Sequence, residues 1–172
     1  MNTRALLAVL ACTAAFHAPT ALAADGSPTA VTCGTTAEDR ATTRSEALAR
    51  SQSWLDAQVP YSQDACHENA YGSYRTDCSG YVSMAWGLSH SRTTVTLREV
   101  STAIAHAELM PGDALVNSYH AALFVRWADA AKSEPVVREQ TGPDGAPPVE
   151  RAWRAATAAD YTAVRYHRIV EG

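Results

Sequence analysis

Hydrophobic spacing changes partway along this chain, and the change restricts its fold class more than any other feature. Up to about residue 105 apolar residues recur at helical spacing; beyond Met110 they fall into short runs bounded by turn residues. Thr43-Arg44-Ser45-Glu46 has the form of a capping box. Ala47, Leu48, Ser51, Trp54, Leu55 and Gln58 follow it at helical spacing, which predicts a helix over 44–58, ended by Val59-Pro60. Residues 61–76, rich in Ser, Asn, Gly, Asp and Tyr, read as a loop. Asp77 stands at an N-cap position ahead of the stripe Tyr81, Val82, Ala85, Trp86 and Leu88, which predicts a second helix from Cys78 to Leu88. Leu97, Val100, Ala103 and Ile104 predict a shorter helix to Ala105. Met110-Pro111-Gly112-Asp113 is a tight-turn signal. Strands are then expected at 114–116, 120–127, 136–140, 149–154 and 164–170. Helices first and about five antiparallel strands afterwards specify an α+β domain.

The first residues have the form of a targeting segment. Met1 to Arg4 is a short basic start, Ala5 to Phe16 is mostly apolar, and Ala21-Leu22-Ala23 has the small-x-small form of a cleavage site. Removal of residues 1–23 as a signal peptide would leave 149 of the 172 residues, 24–172, as one secreted domain. A lipid anchor at Cys12 is disfavoured, because the apolar region before it would be very short. No stretch reaches the roughly 20 apolar residues of a membrane-spanning helix. With 14 basic and 18 acidic residues the net charge is −4, which argues against gripping nucleic acid or an anionic wall polymer by charge alone. A monomer is expected.

Loss of Cys12 with the signal leaves Cys33, Cys66 and Cys78. Three is an odd number, so in an oxidising compartment two should pair and one should stay a free thiol. Cys78 heads a predicted helix, where unpaired backbone N–H groups and the helix dipole favour a thiolate, the nucleophilic form. Asp77 opposes that effect by its charge but is suited to cap the helix. Gly80 would keep the first turn open to a substrate backbone. A cysteine nucleophile needs a base, and His67, His90, His106, His120 and His167 are the candidates. His120 opens the most apolar strand directly after a turn. The base needs an orienting partner, and Glu139 and Gln140 lie on the next expected strand, on opposite faces; periodicity does not choose between them. No clustered Cys or His spacing suits zinc, and no phosphate loop or dinucleotide fingerprint occurs, so neither metal nor cofactor is expected.

Asp-Cys-Ser-Gly-Tyr-Val (77–82), Met-Pro-Gly-Asp-Ala-Leu (110–115) and His-Ala-Ala-Leu-Phe-Val (120–125), in this order, resemble the NlpC-type family of papain-like cell-wall cysteine peptidases, across residues 59 to 140. The resemblance implies a papain-like fold, with the nucleophile at a helix N-terminus packed on an antiparallel sheet. It implies Cys78 as nucleophile, His120 as base, and a third polar residue on the following strand. A glutamate of a Glu-Gln pair fills that role in the related CHAP amidases, which favours Glu139 over Gln140. Tyr61 matches a tyrosine near the family's catalytic centre, a candidate oxyanion donor; Asp77 and Ser79 flank the nucleophile as candidate substrate-binding residues. Ser62-Gln63 stand where the family carries Trp-Gly-Gly, and Ala122 where glycine is frequent. With Cys78 as nucleophile, Cys33 and Cys66 should form the disulfide, a closure contributing about 3–4 kcal/mol in the chain-entropy model. The implied activity is hydrolysis of amide bonds in the peptide part of peptidoglycan. An acyltransferase or transglutaminase-type enzyme, and an inactive secreted binding domain, are the alternatives.

Overall fold

In a computed structural model, residue 31, residues 33 and 34, and residues 36–171 are described; the expected signal peptide and Cys12 lie outside them. The chain passes through a two-residue strand, β1 (Thr42–Thr43), into α1 (Arg44–Asp56). The capping box forms as expected: Glu46 N–H donates to Thr43 Oγ1 at 3.2 Å, and Thr43 N–H donates to Glu46 Oε2 at 2.8 Å. Ala47, Arg50, Ser51 and Trp54 make its buried face.

The stretch expected as a loop contains a hairpin, β2 (Cys66–Asn69) and β3 (Gly72–Arg75). Asn69 Oδ1 accepts from Tyr71 N–H at 2.9 Å, and Gly72 has φ 124°, so an Asx-type turn with a glycine closes it. Its strands carry no apolar alternation, which is why the pattern concealed it. Cys66 lies opposite Arg75 in the register. The Cys33–Cys66 disulfide, Cα to Cα 5.9 Å, ties the N-terminal segment to this hairpin, and Cys78 is left as the free cysteine among the described residues.

Helix α2 (Cys78–Trp86) follows, and every residue in it is buried. Gly87, at φ 69°, ends it in the left-handed conformation. The helix expected over 97–105 is instead a 3-10 turn, Thr96–Val100, running into strand β4 (Ser101–Ala103). Ser101 Oγ closes the turn on Leu97 O at 2.8 Å, and β4 then pairs along β9 (Thr162–Tyr166), so sheet pairing overrides the helical spacing.

The remaining strands are β5 (Ala114–Val116), β6 (Ala121–Trp127), β7 (Pro135–Glu139) and β8 (Val149–Ala152). They build a six-stranded antiparallel sheet, ordered β4-β9-β5-β6-β7-β8, one strand more than expected. The last expected strand is divided into β9 and β10 (Ile169–Val170), and β10 pairs in parallel with β1. Helix α3 (Ala155–Ala159), a short alanine-rich turn between β8 and β9, had no periodic signal.

Alternation on the strands divides the core in two. Ala121 and Leu123 join Val116, Val164 and Tyr166 beneath α1 and α2, with Trp54, Tyr81 and Trp86. Ala122, Phe124, Val137 and Trp153 pack on the opposite face. Period two therefore places His120 on the face of Ala122 and Phe124, and Glu139 on the face of Val137. The two lie on one face. Among the described residues no helix is long and apolar enough to cross a membrane.

Candidate active site

The tip of α2 is held by a buried guanidinium. Arg75, 2% exposed, donates from Nε to Asp77 Oδ2 at 2.8 Å and from its two outer nitrogens to Ser79 Oγ at 2.9 Å, Arg92 O at 2.9 Å and Val31 O at 3.1 Å. Asp77 Oδ1 accepts from Gly80 N–H at 2.8 Å, which makes Asp77 the N-cap. Its charge, expected to oppose a thiolate, is thus met by Arg75. The same contacts bury the side chains of Asp77 and Ser79, the candidate substrate-binding residues, against Arg75. The reason for Gly80 also changes. A Cβ there would lie 1.8 Å from the carbonyl oxygen of Arg75, so glycine lets the helix pack on β3.

His120 is positioned by the turn before β6. Asn117 Oδ1 accepts from the N–H groups of Tyr119 and His120, at 3.0 and 2.8 Å, and Asn117 N–H donates to His120 O at 3.0 Å. His120 Nε2 donates to Glu139 Oε2 at 2.6 Å, and Cys78 lines the same cleft as the ring. Burial disfavours the imidazolium, but the hydrogen bonds and charges of Cys78 and Glu139 outweigh it and raise His120 from 6.5 to about 9. At neutral pH His120 therefore carries its proton.

Glu139, 1% exposed, holds three donors: His120, Arg151 Nε on Oε1 at 2.6 Å, and Trp153 Nε1 on Oε1 at 2.9 Å. Burial raises its carboxyl, and these hydrogen bonds more than offset that, leaving it below its ordinary 4.5. Gln140 is not at the imidazole. Its Nε2 donates to Val59 O at 2.8 Å and Ala146 O at 3.3 Å, fastening the loop that carries Tyr61. Of the two residues considered for orientation, the structure places Glu139 against His120. Tyr61 Oη accepts from Gln63 Nε2 at 3.0 Å, its own proton meets no acceptor among the described residues, and burial pushes its hydroxyl above the usual 10.

Tyr61, Cys78, His120 and Glu139 line one cleft of about 610 Å³, with Tyr119, Arg151, Trp153 and Tyr161 among its other walls. His67, His90 and His106 are engaged elsewhere, with Trp54, Ser89 and the Tyr161 carbonyl. Comparison with family models, with curated proteins and with solved structures finds no match. The geometry therefore stands by itself. Arg151 and Trp153 carried no signal in the sequence, because they reach Glu139 only through the pairing of β7 with β8. Among the described residues no group of three or more His, Cys, Asp or Glu is placed to hold a metal ion.

The sign of the His120 shift sets a pH dependence. A reaction needing the imidazolium keeps its rate below about pH 9 and loses it as pH rises through that value. Glu139→Gln removes one of the two groups that raise His120, so the alkaline limb of kcat/KM should move to lower pH, with the imidazole resonance titrating in parallel by NMR. An unmoved limb would separate Glu139 from the imidazole.

Proposed function

We propose that this chain is a secreted, papain-like cysteine hydrolase that cleaves amide bonds in the peptide part of peptidoglycan. One observation carries the chemistry: a free cysteine at a helix tip lines the same open cleft as an imidazole that a buried carboxylate holds by a 2.6 Å hydrogen bond. A thiol-bearing helix packed on an antiparallel sheet that supplies the imidazole supports the papain-like assignment. The peptidoglycan substrate rests on the three-part motif resemblance, and the Cys33–Cys66 disulfide is in keeping with an oxidising compartment.

In this mechanism the His120 imidazolium stands beside the Cys78 sulfur, which reacts as a thiolate, and Glu139 fixes which ring nitrogen faces it. The thiolate attacks the amide carbonyl. The backbone N–H groups of the first turn of α2 and the Tyr61 hydroxyl stabilise the oxyanion. His120 returns its proton to the leaving amine as the C–N bond breaks. Now neutral, it draws a proton from water, which attacks the thioester and releases a carboxylic acid and the thiol. Purified peptidoglycan digested by the protein should yield fragments with matched new amino and carboxyl termini by mass spectrometry. Fragments joined to an added amine would instead identify a transferase, and intact polymer would remove the proposal.

A further inference from the structure

The cleft is cationic in an acidic protein. The chain has a net charge of −4, yet the cleft walls carry His120, Arg151 and Arg154 against one acidic side chain, Glu139. Glu139 is already committed to three donors. Glu150, the acidic neighbour on β8, is absent from these walls and is taken by Arg138 at 2.9 Å and Arg126 at 3.6 Å. Arg151 uses only Nε on Glu139, its side chain is 57% exposed, and among the described residues its two outer nitrogens meet no acceptor. Arg154 lines the same cleft, exposed, with no carboxylate partner among the described residues.

We propose that Arg151 and Arg154 form an anion subsite at the Glu139 end of the cleft, which takes a carboxylate carried by the substrate near the scissile amide. The inference rests on the hydrolase reading and specifies its substrate class: an amide with a free carboxylate, either a chain terminus or an acidic side chain. A guanidinium fork suits a carboxylate in two-pronged geometry, and the outer nitrogens of Arg151 are the edge left free. Trp153 and Tyr161, ring centroids 4.6 Å apart, provide an apolar wall for the carbons between carboxylate and amide. Arg151 touches both the incoming anion and Glu139, so a bound carboxylate adds a second anchor to the guanidinium that holds the His120 partner.

The test uses alkylation of Cys78, followed by peptide mapping of the whole protein. The probes are N-iodoacetyl derivatives of glycine, β-alanine and γ-aminobutyrate, each against its own carboxamide. The thiolate displaces iodide from the same carbon in both members of a pair, so only the distal charge differs. Relative to glutathione, at least one acid should be preferred by about tenfold at low salt, and the preference should fall as salt rises. Arg154→Gln and Arg151→Gln should each lower it by roughly three- to tenfold. The Arg154 side chain has no partner to lose among the described residues, so that variant keeps the fold, while Arg151→Gln also loosens Glu139. Rapid alkylation with no acid preference, or with one that neither variant changes, overturns the subsite and leaves the hydrolase reading standing. A Cys78 no faster than glutathione with any probe sinks both.

Discussion

Cys78→Ala should abolish amide hydrolysis, with a loss of about a millionfold, the scale seen when a nucleophile is removed from a catalytic unit whose members act together. The loss should come without unfolding. Cys78 is the first residue of α2, and the contacts that fix that helix belong to its neighbours: Asp77 on Gly80 N–H, Arg75 on Asp77 and Ser79, and Gly87 at the far end. Alanine is a better helix former than cysteine, so the melting temperature should stay within a few degrees. A second readout follows from His120. Cys78 is one of the two groups that hold its imidazole up at about 9, so in the variant that titration should move down, with Glu139 alone supporting it. A variant that hydrolyses its substrate at the wild-type rate would show that the sulfur is not the attacking atom, whatever the geometry of the cleft.

Those parts of the fold were legible whose cause is local. The capping box at Thr43, the cap at Asp77 and the apolar run of β6 each write their element in a few adjacent residues. The hairpin was not legible, because Cys66–Asn69 and Gly72–Arg75 show no apolar alternation and are stabilised by a disulfide, a glycine turn and one buried tyrosine, Tyr74, whose hydroxyl donates to Leu88 O. The helix expected over 97–105 shows the reverse: a true helical spacing overruled by pairing of Ser101–Ala103 with β9.

At the site, the sequence brought forward Cys78, His120 and a choice between Glu139 and Gln140. Strand parity can reduce that choice only when the register is known. The pairing of β6 with β7 puts Glu139 on the face of His120 and sends Gln140 to the Tyr61 loop. Arg151 and Trp153 lie 12 and 14 residues beyond Glu139, on the strand expected over 149–154, and no adjacent-residue pattern could link them to it. Arg75 was concealed for a further reason: a loop reading assigns an arginine to solvent, whereas the fold buries it.

That buried arginine carries the largest expected stability change. Arg75→Met should destabilise the protein by about 3–5 kcal/mol, roughly 10 °C in melting temperature, because it strands a charged partner in the interior rather than simply losing a contact. Asp77 is 7% exposed and would keep its carboxylate with no cation; Ser79 and the carbonyls of Val31 and Arg92 would each lose a donor. Arg75→Met combined with Asp77→Asn removes both charges and leaves an amide oxygen still able to cap Gly80. The double variant should therefore be more stable than the single, a coupling of about 1–3 kcal/mol in urea unfolding. Activity should fall in both, since Arg75 is where four features converge: the disulfide-tied N-terminal segment through Val31, the hairpin through its pairing with Cys66, the cap of α2 through Asp77, and the loop after the helix through Arg92. A loss below about 1 kcal/mol for Arg75→Met would mean that water reaches this cluster, and the tip of α2 would then owe its position to packing alone.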